Sequence, residues 1–285
     1  MTLHAFQSAW ETAPRPAPAG AMLLAVGDVH GHLDHLDELV GLLRPEIARA
    51  ASERCHTELV LIGDYVDRGP SSLGVLRRIA DLPYLLGVPV HALRGNHDHY
   101  LIDFMLADEP DPEALEAWCG NGGESTLAEL GIGAADIERR DPLELAVRAR
   151  DAAGPRVLSV LRHLEPYRRI GDYFFVHAGV HPLKPLAEHT LRDLLWLREP
   201  FLSARQWHQP FVVVHGHTIR GPEVFPHRIA IDSGAYRTGV LTAVQIQGNQ
   251  LRFWCVTSDA KLKAFRRLEA AAQRRRFTAP TPLPG

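Results

Sequence analysis

The chain has 285 residues, 46% hydrophobic and 23% charged, enough to bury a full core as one large domain or two small ones. A formal charge of -3 gives no global attraction to nucleic acid or an anionic membrane, and neither is expected as a partner. Three widely separated cysteines, Cys55, Cys119 and Cys255, argue against a disulfide framework and against a thiolate metal site.

Residues 1–20, ending in "ETAPRPAPAG", read as an extended, poorly ordered leader. "AMLLAVGDVHGH" then gives a buried strand at 21–26, a Gly, and Asp28 and His30. Leu33, Leu36, Leu39, Val40 and Leu43 recur at helical spacing through about residue 44, where Pro45 disturbs the pattern. "ELVLIGDYVDRGP" repeats the design, with a strand ending near Ile62, then Asp64, Asp67 and Arg68, then a helix from about Ser71. "VHALRGNHDHY" repeats it again: Val90 to Leu93 end at Arg94-Gly95, Asn96, His97 and Asp98 follow, and a helix resumes through Leu101 and Phe104.

A different texture begins near residue 106, where "ADEPDPEALEAWCGNGGESTLAELG" opens acidic and Pro-rich and returns to helix formers. The stretch from about 106 to 170 reads as a small helical cap inserted into an α/β body. Gly122-Gly123 reads as an interhelical turn and Trp118 as core. "DYFFVHAGV" and "FVVVHGHT" end two further strands at His177 and at His215 and His217. "LTAVQIQGNQLRFWCV" is a closing hairpin with its turn at Gly248-Asn249, and 261–285 reads as a helix with a basic end and tail.

Five apolar strands thus release Asp, Asn or His at the same end. In α/β architectures ligands gather outside the carboxyl ends of the strands, so residues distant in sequence converge there. Oxygen and imidazole donors without sulfur suit divalent Mn, Fe or Zn, and two ions would use this many ligands economically. Such a pair clamps the attacking and leaving oxygens of phosphoryl transfer. His215, two positions before His217, falls on the same side of the strand end; His32, His35, His99 and His181 read as loop or helix-surface residues.

"GDVHG" at 27–31, "GDYVDRG" at 63–69, "GNHD" at 95–98, "HAG" at 177–179 and "HGHT" at 215–218 together resemble the phosphoprotein phosphatase family of the metallophosphoesterases. "DLLWLREPF" and "IDSGAYRTGVLT" resemble its bacterial and phage-type branch. The resemblance spans roughly 21–245 and implies a four-layer αββα sandwich within one domain over about 21–260. Asp98 stands where many members carry Glu, at a position not expected to hold metal.

The resemblance implies one metal on Asp28, His30 and Asp64 and a second on Asp64, Asn96, His177 and His217, with Asp64 bridging, and manganese as the leading ion. It also implies in-line attack by a hydroxide held between the ions. His97 would act as general acid, oriented by Asp67, while Arg68, Asn96 and Arg198 would contact the phosphate. The expected activity is phosphomonoester hydrolysis in the cytoplasm on phosphoserine or phosphothreonine in proteins. A symmetric diadenosine tetraphosphate hydrolase is the alternative, and a phosphotyrosine preference or a non-catalytic metal-dependent binding module stands behind it.

Overall fold

The computed structural model describes residues 3–258. In chain order they form β1 (Leu3–Gln7), β2 (Glu11–Thr12), β3 (Ala21–Val26), α1 (Leu33–Ser52), β4 (His56–Leu61), α2 (Ser72–Leu86), β5 (Val90–Ala92) and α3 (Asn96–Leu106). A helical stretch follows: α4 (Pro112–Trp118), α5 (Glu124–Glu129), α6 (Ala134–Arg139) and α7 (Pro142–Arg162), which breaks where Gly154 takes φ 76°. The remainder gives β6 (Tyr167–Ile170), β7 (Tyr173–Val176), α8 (Leu191–Trp196), β8 (Val212–His215), β9 (Glu223–Phe225), β10 (Arg228–Ala230), α9 (Ala235–Thr238), β11 (Val240–Gln247) and β12 (Gln250–Ser258).

Two sheets result. One runs β1-β12-β11-β3-β4-β5 with β2 beside β12, and the other runs β6-β7-β8-β10-β9. Alternation along the strands sorts their side chains into three apolar layers. Met22, Leu24, Val26, Leu59 and Leu61 face the helices, whereas Leu23, Ala25, Val60 and Ile62 face the second sheet. In that sheet Tyr173 and Phe175 join the shared interior, while Phe174 and Val176 point outward onto Leu194 of α8, Phe201 and Phe211. Three interiors separate four layers, which is the sandwich expected from the sequence.

The strands β3, β4 and β5 are parallel, as are β7, β8 and β10. Their carboxyl ends share one rim of the sandwich, and the five motif loops leave from it.

Three boundaries differ from expectation. Within the supposed leader, β1 pairs with β12 from Leu3 to Gln7, β2 pairs with the same strand, and Ala13 and Ala17 are buried between the sheets. Main-chain pairing along an open sheet edge needs no apolar pattern, so composition could not reveal it. Helix α1 continues through Pro45 to Ser52, because Leu43, Ile47 and Ala50 keep the buried stripe going and outweigh the ~3 kcal/mol a mid-helix proline costs. The helical insertion covers 112–162, and its last expected residues, 167–170, are strand β6. Helix α7 packs along α2 and α3, so the insertion extends the outer helical layer. The expected basic C-terminal helix at 261–285 lies outside the described residues. No helix of the described residues is long and apolar enough to cross a membrane.

Candidate active site

Backbone hydrogen bonds stitch the motif loops together. The amides of Val29 and His30 donate to the Asp64 carbonyl at 3.1 and 2.8 Å, and Gly216 donates to the His177 carbonyl at 2.8 Å. Loops held this tightly can carry strain. Of six non-glycine residues with positive φ among the described residues, five are His30, Asp64, Asp67, Arg68 and His217. Such conformations cost on the order of 1–3 kcal/mol each and persist only where surroundings over-determine them. The motif glycines have a steric reason: a Cβ on Gly95 would sit 2.2 Å from the Asp64 amide, and one on Gly216 would sit 2.0 Å from Asp28 Oδ1.

Asp64 lies at the centre. Its Oδ2 is 3.5 Å from His30 Nε2 and its Oδ1 is 3.4 Å from His177 Nε2, so the carboxylate presents one oxygen to each side. The donor atoms of Asp64, His177 and His217 lie within 4.8 Å of one another, and so do those of His30, Asp64 and His97. Asn96 completes the second group, with its Oδ1 at 2.9 Å from both His177 Nε2 and His217 Nδ1. Asp28 adjoins them and accepts the His217 amide on Oδ2 at 2.9 Å. All six expected metal ligands therefore meet.

The donor atoms fit divalent cations. His30 Nδ1 lies 2.8 Å from the Val66 carbonyl and His177 Nδ1 lies 3.0 Å from the Ile62 carbonyl. A carbonyl accepts only, so both rings carry the proton on Nδ1 and turn the Nε2 lone pair toward the centre. Burial, helped by the His97 and Arg68 charges and opposed by Asp64, brings His30 down to about 3, and burial brings His217 down to about 2. These imidazoles are neutral at physiological pH. The His177 lone pair then faces the Asn96 oxygen, acceptor against acceptor, which a cation relieves. Asp28 Oδ1 and His217 Nε2 are buried without a hydrogen-bond partner. Burial, followed by the charges of Asp232 and Asp64, raises the Asp28 carboxyl well above its usual range. A dication would reverse that.

Beside this group His97 Nδ1 lies 2.7 Å from Asp67 Oδ2. Burial depresses the His97 imidazole, but Asp64 and Asp67 together more than offset it and the net shift is upward. Asp67 is itself fixed by the helical insertion: Trp118 Nε1 donates to Oδ2 at 2.7 Å and Thr126 Oγ1 donates to Oδ1 at 2.6 Å. Glu129 accepts the Ser72 and Leu73 amides at the start of α2, clamping the other flank of the same loop. Gly122 accepts the Arg68 amide, and the two glycines pack closely under Arg68 and Trp118.

Arg68 extends one guanidinium nitrogen to 2.9 Å from His30 Nε2 and lies 4.4 Å over the Tyr236 ring. Arg198 follows the end of α8, exposed, near enough for its charge to depress both His177 and His217. His215 is a core residue: its Nδ1 faces the Gly216 carbonyl at 3.1 Å and its ring packs on Phe201. The spacing that put it on the same side as His217 did not bring it into the ligand group.

Asp98 carries more weight than its sequence reading allowed. Fully buried, it accepts the amides of Asp64, Tyr65 and Gly95 at 2.8, 2.9 and 2.9 Å, joining the bridging residue to the start of α3. Burial and the Asp64 charge raise it to about 7, against those three hydrogen bonds. Asp232 is buried beside Asp28 and is raised, by burial first, to about 7. Only the motif position of Asp98 and the "IDSG" string hinted at either.

Comparison with known proteins agrees with this geometry. The family model described as calcineurin-like phosphoesterase matches residues 22–236. A symmetrical bis(5'-nucleosyl)-tetraphosphatase of Dechloromonas aromatica is 32% identical over 276 residues, covering 80% of this chain and 93% of that protein. An asymmetrical bis(5'-nucleosyl)-tetraphosphatase of Halalkalibacterium halodurans is 24% identical, covering 77% of this chain and 88% of that one. A solved structure named as a candidate diadenosine tetraphosphatase superposes with a TM-score of 0.53 at 25% identity, over 82% of this chain and 93% of its own.

Proposed function

The chain belongs to the calcineurin-like phosphoesterase family, and from that premise we propose that it hydrolyses dinucleoside tetraphosphates with two divalent metal ions. One observation carries the choice of substrate: the relatives matched over most of their own length are named for this class of molecule. The motifs that resembled a serine/threonine protein phosphatase read metal and phosphate and leave the attached group unspecified, so that narrower expectation gives way to its alternative.

When bound, the ions supply an acidified water and positive charge for phosphoryl transfer. The chain's own contribution divides by residue. Asp64 lends one oxygen to each half of the site, with His30 on one side and His177 and His217 on the other; Asn96, against both of the latter imidazoles, and Asp28, against the His217 amide, would complete the two halves. Asp67 holds the Nδ1 proton of His97, which leaves the Nε2 proton as the transferable one, directed at the departing oxygen. Arg68 and Arg198 grip phosphate oxygens, a task suited to a guanidinium that stays charged. Asn96 contacts the phosphate from the second half.

The test compares diadenosine tetraphosphate with a phosphoserine peptide, both with manganese, and separates the nucleotide products. Two ADP per substrate would mean symmetric cleavage, and AMP plus ATP asymmetric cleavage. Turnover of the peptide with none of the dinucleotide would return the protein-phosphatase reading.

A further inference from the structure

A pocket of about 290 Å³ lies between α3, α4 and α8, lined by His99, Tyr100, Asp103, Ala114, Arg192 and Trp196. We infer that it is the subsite for the nucleoside that leaves with the departing phosphate; the inference rests on the dinucleotide reading above.

Position comes first. A general acid stands on the side where the leaving group departs. Tyr100 follows His97 by one turn of α3, and their ring centroids are 6.4 Å apart. The same Tyr100 is a wall of the pocket. A leaving group that takes its proton from His97 is therefore directed along α3 toward this opening.

The lining has the chemistry of base recognition. Trp196 meets Tyr100 at 6.2 Å and 88°, and meets His99 at 5.5 Å and 64°. Edge-to-face packing of this kind spends one contact of each ring and leaves faces of half-buried aromatics turned to the pocket. A planar base stacks on such faces whatever its hydrogen-bonding edge. Asp103 can accept from a ribose hydroxyl or an exocyclic amine.

Charge connects the pocket to the centre. Arg198 lies near His177 and His217, and Arg192 lies on the pocket wall six positions earlier. Neither guanidinium pairs with a carboxylate among the described residues, so both remain available to an anion. Cations spaced from the metal ligands to an aromatic pocket match a ligand whose phosphates precede its base. The volume is at the lower end of small-molecule sites and suits one nucleoside better than a peptide segment.

Calorimetric titration of the manganese-loaded chain with ADP and with ribose 5-diphosphate tests this, because the two carry the same phosphates and differ in the base. Expected is at least about tenfold tighter binding of ADP, in line with base-on-aromatic stacking. Trp196→Ala should close most of that gap and Trp196→Phe should keep it. Arg192→Ala, at an exposed position, should weaken ADP by about threefold or more. A wild-type gap under twofold, or a gap that survives Trp196→Ala in a folded variant, overturns the subsite. So does a phosphotyrosine peptide that depends on Trp196 as much as ADP does. If the gap is present but diadenosine tetraphosphate is not hydrolysed, the substrate reading fails and the nucleoside subsite stands. If the dinucleotide is hydrolysed without the gap, only the subsite fails.

Discussion

Trp118 of the helical insertion donates its indole N–H to the same carboxylate oxygen of Asp67 that faces His97, each at 2.7 Å. The insertion thus sets the direction in which Asp67 holds the imidazole. Trp118→Phe keeps a buried ring but removes the donor, which should cost about 2 kcal/mol of stability for a lost hydrogen bond to a charged group. Beyond that loss, kcat on an alkyl phosphate should fall by about tenfold more than kcat on a nitrophenyl phosphate. Equal falls on both would reduce Trp118 to a core residue.

His97→Ala makes the same comparison directly. A positioned acid contributes about 10²- to 10⁴-fold where the leaving group is basic, and little where it departs unprotonated. The expected result is a loss of that size on alkyl phosphates and a much smaller one on nitrophenyl phosphate. A uniform loss would assign His97 to the metal centre, beside His30 and Asp64, with which its donor atom also groups.

Asp64→Ala removes the oxygens that face His30 and His177. Metal content measured by mass spectrometry on the purified chain should drop below one ion per chain, and metal-dependent turnover should be lost. Retention of two ions would refute the bridging assignment.

Burial raises the carboxyls of Asp98 and Asp232 to about 7 in the folded chain, against an ordinary 3.8. A group raised on folding contributes stability that is complete below its unfolded value and disappears as pH rises through the folded one. The chelated chain should therefore lose melting temperature between about pH 4 and pH 8. Dications held by the adjoining Asp28 and Asp64 would offset this crowding of carboxylates and would also stabilise by mass action, by about 2.7 kcal/mol at a hundredfold excess over Kd. Manganese should raise the melting temperature and flatten its fall with pH. A scanning-fluorimetry series with chelator and with manganese checks both statements, and parallel curves would contradict the second.

The convergence of the candidate ligands was legible because each of them follows an apolar strand. A buried parallel strand announces itself by composition, and whatever leaves its carboxyl end has one place to go. Asp28, His30, Asp64, Asn96, His177 and His217 could be named on that ground together with the family resemblance. The strands and the hairpin turn at Gly248-Asn249 were legible for the same local reasons: β11 and β12 pair with Gln247 opposite Gln250.

Other features had no local signature. Trp118 and Thr126 lie 51 and 59 positions from Asp67, and nothing in their neighbourhood marks them as its partners. Asp98 looked like a variant of a motif letter until its three amide donors were seen. Strand β1 was hidden because main-chain pairing leaves no trace in side-chain pattern.

By itself, then, the sequence determined which side chains would line one rim, since strand alternation and loop chemistry are local. Only the tertiary structure decided which oxygen of Asp64 faces which imidazole, how the insertion grips Asp67, and where an aromatic pocket opens beside His97. Those depend on distances between segments that the chain brings together only when three apolar interiors close at once.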